Sequence, residues 1–433
     1  MRKWIFFPVF IILFSCKGKV PETYLSHEQA AAYFARIEEI CNRDNGKLWG
    51  SNLFGPMMFV DRTSRQILAN QPDKDGILKL KDGIYTGIYP REKLINITAT
   101  EFGGTLFGVA PLPPVEDEYR IITRAIHCLF HRFQYLNGIY PAIFNSTNMD
   151  EREARIWLKL EWKALRKAIT SEGEDKLTAI RDALIFRGTS QISFPGYVDE
   201  GNHFETYEGL TSFTFTFLPS ASMDEFKKRL FEYLDRIYSF QSYSQSYGGI
   251  HGALYATLLY QKGFDFKNLI SDKTDLGKLV MELYNIELPE ICRDVAGSLA
   301  ISYNLDQIYR EEEQRLRDIR ERLCKQVNIF NQKPVVFIGL ESPYFDFEPE
   351  DVHSLDTLGT LYSHIRVSDN WGKLTVNKHG CLISGNYKQL RITAKGLKAD
   401  KNHIYGEGWH MILNEDWVID EVNDNYYVHR IAP

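Results

Sequence analysis

The sequence DEYRIITRAIHCLFHRFQ, residues 117–134, has the pattern of a single amphipathic helix. Its apolar residues recur every three or four positions, and the opposite arc carries the polar side chains, among them His127 and His131. Residues four apart in a helix lie one turn apart on the same face. The two imidazoles can therefore point at one object, which is the geometry by which two histidines on a helix hold a zinc ion.

The histidine pair lacks one part of the H-E-x-x-H motif of zinc hydrolases. In that motif the glutamate removes a proton from metal-bound water. Here Cys128 follows His127, so the ligand spacing is present and Cys128 occupies the position of the general base. The loss of a general base typically costs roughly 10²- to 10⁴-fold in rate. The sequence thus predicts metal binding more strongly than it predicts hydrolysis.

Composition limits the class of protein. The chain has 433 residues, of which 44% are hydrophobic, enough for the cores of two or three globular domains. The formal net charge is −6 and no basic block follows the first residues, so nothing indicates a nucleic-acid partner. No glycine-rich phosphate loop follows a predicted strand, which gives no reason to expect a nucleotide cofactor.

Residues 1–16, MRKWIFFPVFIILFSC, have the features of a targeting segment. Two basic residues precede an apolar run at residues 4–14 that is too short to span a bilayer as a mature helix. The final LFSC resembles a bacterial lipobox, which implies cleavage before Cys16 and lipidation of that residue. An ordinary signal peptide or an N-terminal anchor is the alternative. We expect an exported protein, lipid-anchored in the bacterial cell envelope at the periplasmic or outer-membrane surface.

The remaining chain divides by its periodicity into three parts, and the predicted fold class is α+β. Residues 17–114 combine a helix at 27–42 with an antiparallel sheet, residues 115–330 form a helical lobe, and residues 331–433 form an all-β domain. The strands of the first sheet are predicted at 57–60, 66–69, 77–80, 84–89, 95–100 and 105–109.

One carboxylate lies inside an apolar stripe. In the helix predicted over residues 150–169, Glu161 is one turn from both Trp157 and Leu165. A buried carboxylate needs a cation, a hydrogen-bond donor or a metal. The alternative is that Glu161 reaches solvent at the edge of the stripe, or pairs with an arginine for structural reasons.

These features together resemble the gluzincin class of zinc metallopeptidases. In aminopeptidase-N-like gluzincins the third zinc ligand is the glutamate of an N-E-G-F-A motif, and residues 207–211, YEGLT, look like a variant of it. The resemblance covers residues 103–259 and includes HRFQ at 131–134, LEW at 160–162 and FR at 186–187. It implies zinc as the cofactor, Glu208 as the third ligand, and Glu161 and Arg187 as residues that support the ligands.

The chain also departs from the gluzincin pattern, since Tyr207 replaces the asparagine and Cys128 replaces the base. Cys128 has three interpretations. It is a fourth ligand that closes a structural zinc site, a small buried residue in a pseudoenzyme with or without metal, or part of an active enzyme that uses another base. The candidates for that base are Glu205, one turn before Glu208, and Glu161 if its side chain faces inward. Tyr247 is a candidate oxyanion donor, with a packed aromatic as its alternative.

The sequence therefore predicts an envelope lipoprotein that resembles a zinc metallopeptidase, with weak or no peptide hydrolysis. Its expected partners are membrane lipid through Cys16 and a peptide or protein ligand. The competing interpretation is a binding or scaffolding lipoprotein without metal, acting through its C-terminal β domain.

Overall fold

The computed structural model describes residues 25–93, 95–112, 117–141, 146–268, 274–331, 334–347, 352–355 and 359–431, and for residues 322–327, 331 and 354 only the backbone. The predicted targeting segment, with Cys16, lies outside these residues. Helices occupy the middle of the chain, and sheets occupy its beginning and end. The predicted α+β class and the C-terminal run of strands are therefore confirmed.

The first part of the described chain is a helix followed by a six-stranded sheet. Helix α1, His27–Asp44, begins with a capping box between Ser26 and Gln29. The strands are β1 (Met57–Asp61), β2 (Gln66–Ala69), β3 (Lys79–Lys81), β4 (Ile84–Ile88), β5 (Thr98–Phe102) and β6 (Thr105–Leu112). Their order in the sheet is β3-β4-β2-β1-β6-β5.

This sheet is antiparallel except at its centre. β1 pairs in parallel with β6, from Met57 opposite Gly108 to Asp61 opposite Leu112. The other pairings of the sheet's described strands are antiparallel. Parallel neighbours need a long connection, and the excursion through β2, β3, β4 and β5 supplies it. The predicted antiparallel sheet thus contains one parallel pairing, which places β6 beside the centre of the sheet and beneath the next helix.

The middle of the chain forms the helical lobe. Its helices are α2 (Glu118–Leu136), α3 (Arg152–Thr170), α4 (Gly173–Ser193), α5 (Val198–Phe204), α6 (Leu210–Phe217), α7 (Met223–Tyr238), α8 (Tyr247–Gln261), α9 (Leu276–Leu283), α10 (Cys292–Ser302) and α11 (Leu305–Asn331). Residues Glu205–Gly209 between α5 and α6 are π-helical, and we call this segment the π turn.

Helix α2 confirms the helix predicted over residues 117–134. The Asp117 carboxylate accepts a hydrogen bond from the backbone N–H of Arg120 at 2.9 Å and caps the first turn. The helix ends before Gly138, which has a φ of +77°. Arg132 Nε donates to the carbonyl oxygen of Leu106 in β6 at 3.0 Å. α2 is therefore held between the sheet on one side and the helical lobe on the other.

The C-terminal part consists of two sheets that enclose one apolar core, in which Trp371 and Trp409 are buried. The strands are β7 (Val335–Gly339), β8 (Tyr344–Asp346), β9 (Val352–Ser354), β10 (Thr360–Tyr362), β11 (Ile365–Asp369), β12 (Gly372–Val376), β13 (Cys381–Ile383), β14 (Gln389–Thr393), β15 (Lys398–Asp400), β16 (His403–Gly406), β17 (Trp409–Leu413), β18 (Trp417–Val422) and β19 (Asn425–Arg430). The two sheet orders are β18-β19-β7-β14-β13-β10-β9 and β15-β16-β17-β12-β11-β8.

Strand β8 connects this part to the N-terminal sheet. The Tyr344 hydroxyl donates to Asn96 Oδ1 at 2.9 Å, and Arg62 pairs with Asp346 at 3.2 Å. Among the described residues, we find no helix that combines the length and the apolar character needed to cross a membrane.

The π turn and helix α8 approach each other so closely that only glycine fits between them. A methyl group added to Gly209 would lie 2.4 Å from Cα of Gly252. One added to Gly252 would lie 2.1 Å from the carbonyl oxygen of Glu205. Both obstacles are backbone atoms, which cannot move aside as the end of a flexible side chain can. The position of the π turn therefore depends on this backbone contact.

We expect Gly252→Ala to lower the free energy of unfolding by about 2 kcal/mol, because the added methyl group overpacks the contact with the π turn. Gly297→Ala in α10 is the matched control. Nothing lies within 4 Å of a methyl group there, and φ is not positive. Alanine should be neutral or stabilise that helix by up to about 1 kcal/mol. Denaturant unfolding followed by circular dichroism measures both variants, and equal effects would contradict the proposed contact.

Candidate metal centre

Three predicted ligands meet where α2 faces the π turn. His127 Nε2 lies 2.8 Å from His131 Nε2. Glu208 approaches both rings, with Oε2 3.7 Å from His127 Nε2 and Oε1 3.8 Å from His131 Nε2. Among the described residues, this is the one group of three histidine, cysteine or acidic side chains whose ligand atoms all lie within 4.8 Å of one another. The structure thus brings Glu208 to two histidines that precede it by 77 and 81 positions in sequence.

Gln134 fixes the orientation of His131. The Gln134 side-chain amide donates from Nε2 to the carbonyl oxygen of Tyr207 at 2.9 Å, which leaves Oε1 to face His131 Nδ1 at 2.8 Å. A carbonyl-type oxygen only accepts, so we assign the imidazole proton to Nδ1. The lone pair of His131 is then on Nε2, pointing at His127 and Glu208. Metal-binding histidines commonly donate their other N–H to an oxygen in this way.

Aromatic rings hold both imidazoles in place. The His127 ring stacks on Phe215 with 5.3 Å between centroids, and the His131 ring stacks on Tyr207 with 4.8 Å between centroids. Phe215 belongs to α6, directly after the π turn that carries Tyr207. The segment that supplies Glu208 therefore also supplies the packing surface for the two histidines.

Burial shifts the protonation of two members of the triad. Burial lowers the pKa of His127, and the neighbouring His131 and Arg124 lower it further. Burial raises the pKa of Glu208, and the neighbouring His131 lowers it by a smaller amount. A neutral His127 keeps a lone pair for a ligand, and a partly desolvated carboxylate is stabilised by a nearby cation. His127 and Glu208 keep 19% and 27% of their side-chain surface, so the centre opens to solvent.

The donor set fits a zinc ion. Two ligands at about 2.0–2.2 Å from one tetrahedral metal lie roughly 3–3.5 Å apart. The distances between the ligand atoms of His127, His131 and Glu208 are 2.8, 3.7 and 3.8 Å, within a few tenths of an ångström of that range. Two imidazole nitrogens and one carboxylate are also the ligands of a zinc site that leaves a fourth position open.

Cys128 lies outside the triad. Its thiol is fully buried and donates to the carbonyl oxygen of Ala125 at 3.1 Å. A methyl group added to Gly108 of β6 would lie 3.0 Å from the Cys128 sulfur, so the thiol packs directly under the sheet. Burial raises the pKa of Cys128 far above its usual value. The surroundings are those of a small, protonated core residue.

Glu205, Glu161, Arg187 and Tyr247 meet in a second place, around His251. Arg187 holds Glu205 with two hydrogen bonds of 3.2 and 2.9 Å. Glu161 accepts from the Tyr255 hydroxyl and lies 3.2 Å from His251 Nε2. The Tyr247 hydroxyl lies beside Ser146 and Gly201. The structure therefore does not bring these four predicted residues to the histidine pair, because Glu205 and Glu208 of the π turn contact different helices.

Burial and the neighbouring carboxylates shift the pKa of His251 in opposite directions. Burial lowers the pKa of His251, but Glu161 and Glu205 outweigh this and raise the pKa overall. The indole N–H of Trp162 donates to His251 Nδ1 at 2.9 Å, and that N–H can only donate. A second proton on Nδ1 would therefore face another N–H at hydrogen-bond distance. On the other side of the ring, Nε2 lies 3.2 Å from Glu161 Oε1 and 3.0 Å from Arg187 Nη1, which also can only donate, so both ring nitrogens face an N–H donor.

Phe215 and Tyr255 escaped the sequence reasoning, since aromatic residues on helices are most often core and no local pattern distinguishes them. Trp162 entered it only as part of LEW at 160–162. Gln134 was visible on the polar arc of α2, three residues after His131.

No protein-family model matches the chain, and neither does any curated protein or solved structure. The likeness to gluzincins therefore depends on the residues of this chain alone.

The buried Cys128 thiol should resist alkylation. Since the thiolate is the nucleophile and burial raises the pKa, we expect iodoacetamide at mildly alkaline pH to modify Cys128 at least about 100-fold more slowly in the native protein than in the denatured chain. Peptide mapping by mass spectrometry measures the rate for this residue. Rapid modification of native Cys128 would instead indicate an accessible thiolate, as expected of a residue able to serve as a fourth ligand.

Proposed function

We propose that this protein is an exported, lipid-anchored zinc protein of gluzincin type that hydrolyses peptides weakly or not at all. The convergence of His127, His131 and Glu208, with Gln134 holding His131, carries the proposal. Such a triad is the minimum set from which a gluzincin-like site is built. The combination of two imidazoles one helical turn apart and a carboxylate from a distant segment is more specific than the histidine spacing alone.

Each residue of the centre has one role in this proposal. His127 and His131 offer Nε2 lone pairs, Glu208 offers a carboxylate oxygen, and Gln134 keeps the His131 proton on Nδ1. A zinc ion held by these residues would supply Lewis acidity and lower the pKa of a bound water.

The proposed weakness of hydrolysis follows from the absence of a positioned base. A general base must lie within hydrogen-bond reach of the proton that it removes. The Cys128 thiol is buried under β6 and protonated. Glu205, a second candidate, is bound to Arg187 through both carboxylate oxygens, and Glu161 accepts from the Tyr255 hydroxyl in the same second place. None of these groups is placed to serve, which favours a zinc-binding pseudoenzyme over an active peptidase with an unusual base.

The location is proposed from the lipobox-like LFSC at residues 13–16. Lipidation at Cys16 would anchor the mature chain to the envelope. Metabolic labelling with palmitate tests this anchor. If the Cys16→Ser variant still incorporates the label, Cys16 is not the lipidated residue and this anchor is ruled out.

We expect the purified mature protein, supplied with zinc, to hold close to one zinc ion per chain. His131→Ala should lose it, because two remaining ligands do not hold zinc tightly. Gln134→Leu should weaken zinc affinity by about 10- to 100-fold, because the ring and the proton of His131 are no longer fixed. Elemental analysis and competition with a chromogenic chelator measure content and affinity.

The matched control for these variants is His429→Ala, which removes a half-exposed histidine that pairs with Asp420 far from the triad. Zinc content should stay unchanged in this control. A wild-type protein without zinc under these conditions would end the metal proposal and leave the C-terminal β domain as the place to look for function.

Zinc-loaded wild type should cleave fluorogenic peptides no faster than His131→Ala, because no base is positioned at the centre. A rate that exceeds His131→Ala by a factor of about 100 or more, and disappears on chelation, would show an active peptidase instead. Cys128→Glu is a poor test of a lost base, since its side chain has three more heavy atoms than cysteine and Gly108 leaves no room for them.

A further inference from the structure

The second buried cluster surrounds a cavity of about 50 Å³. Its floor is made of charged and polar side chains that are at least nine-tenths buried, namely Glu161, Arg187, Glu205, Tyr247 and His251. Its partly exposed rim has an apolar side, formed by Met149, Phe194, Tyr197 and Val198, and a polar side with Ser190 and Gln191. The cavity shares none of its lining with the His127, His131 and Glu208 triad, so it requires its own explanation.

The groups around Arg187 carry more negative than positive charge. Arg187 contacts three carboxylates, those of Glu205, Asp275 and, at 3.8 Å, Glu161. One guanidinium therefore faces three acidic groups, of which Glu161 and Glu205 are buried and line the cavity, whereas Asp275 keeps 27% of its side-chain surface. Protonation of His251, which Glu161 and Glu205 favour, would add one positive charge and still leave one of these three carboxylates uncompensated. Buried charge without a partner is costly, so the cluster favours an additional cation.

An unpartnered amide points to the same cavity. Asn148 is 2% exposed and lines the cavity, yet among the described residues neither its Oδ1 nor its Nδ2 has a hydrogen-bond partner. Leaving such a buried amide without a partner destabilises the folded protein. Asn148 therefore supplies a free acceptor that is independent of the carboxylates.

We propose that this cavity binds a primary ammonium group attached to an apolar stem. The ammonium supplies one positive charge and three N–H donors, which match the Glu161 and Glu205 carboxylates and the Asn148 amide oxygen. The volume admits only a small head group, and the apolar side of the rim, with Phe194 and Tyr197, accommodates the stem and favours a cation nearby. A metal ion fits this cavity less well. Among the described residues, three histidine, cysteine or acidic side chains have ligand atoms within 4.8 Å of one another only at the His127, His131 and Glu208 triad.

Titration of the full mature protein with propylammonium chloride tests this site, with sodium chloride at equal ionic strength as the reference. Calorimetry and the shift of the thermal unfolding midpoint measure binding, since a ligand that binds the folded state raises that midpoint. We expect saturable binding to wild type. Glu161→Gln should weaken it at least about tenfold by removing a charged acceptor. Glu153→Gln, on the exposed face of the same helix, is the charge-matched control and should bind like wild type.

Asn148→Leu keeps the test decisive if Glu161→Gln does not fold. Leucine removes the unpartnered amide at similar size, so this variant should be at least as stable as wild type while binding propylammonium more weakly. Absence of saturable binding to wild type, or equal binding by Asn148→Leu and wild type, would overturn the proposal and leave a cavity that holds water only.

A comparison of leucyl-leucinamide with its N-acetyl derivative distinguishes the source of the ammonium group. Binding of the free-amine peptide alone would identify a peptide amino terminus, whereas binding of propylammonium without either peptide would identify a small free amine. These results do not depend on zinc, because no residue is shared with the metal centre.

Discussion

The Gln134 amide is the interaction on which the candidate metal centre depends. It joins α2 to the π turn by donating to the carbonyl oxygen of Tyr207 while accepting from His131. Thr211 of α6 also donates to the Tyr207 oxygen, at 2.6 Å, so the hydrogen bonds meet at one backbone group. Gln134 is 2% exposed, and without it the buried Nδ1–H of His131 would lose its acceptor, at a cost of about 1–3 kcal/mol. One side chain thus couples the ligand helix to the segment that carries Glu208.

The π turn, in turn, lies between two polar centres. Glu208 faces α2 and its histidines, whereas Glu205 faces Arg187 of α4 and His251 of α8. Gly209 and Gly252 permit the backbone contact that makes both approaches possible. π-helical turns are uncommon and occur frequently at functional sites. Here the π-helical geometry allows one short segment to contribute a carboxylate to each of two centres.

The sequence predicted the parts of this structure that depend on local patterns. The amphipathic period located α2, and alternation located the strands within a few residues. The spacing of His127 and His131 suggested the metal centre, and the likeness of YEGLT to a known motif suggested Glu208. Features set by tertiary packing were not predictable in this way. The parallel pairing of β1 with β6 depends on a connection of more than forty residues. The short helix α9 was overlooked although Leu276, Leu279, Val280 and Leu283 recur at helical spacing.

The sequence also failed to distinguish the residues of the metal centre from those of the second buried cluster. Glu205 and Glu208 are three residues apart, a spacing that places side chains on one face of an α-helix, so both were expected at the metal. The π turn changes this relation and directs Glu205 to Arg187 instead. The apolar stripe favoured burial of Glu161, with pairing to an arginine left open, and the side chain is 2% exposed and lies 3.8 Å from Arg187. Its closer partners, Tyr255 and His251, come from α8 and could not be identified from α3 alone.

The contact between Cys128 and Gly108 relates the packing of the helix to the proposed loss of hydrolysis. A base at position 128 needs space for a carboxylate and access to water at the metal. In this chain α2 packs so close to β6 that the position admits only a small side chain, and its thiol is fully buried. Cys128 is therefore one side of a close helix–sheet contact, not merely a missing catalytic group. Regaining a base there would require β6 to move as well, whereas the metal ligands on the other arc of α2 are unaffected by this contact. Metal binding and hydrolysis are thus separable in this fold.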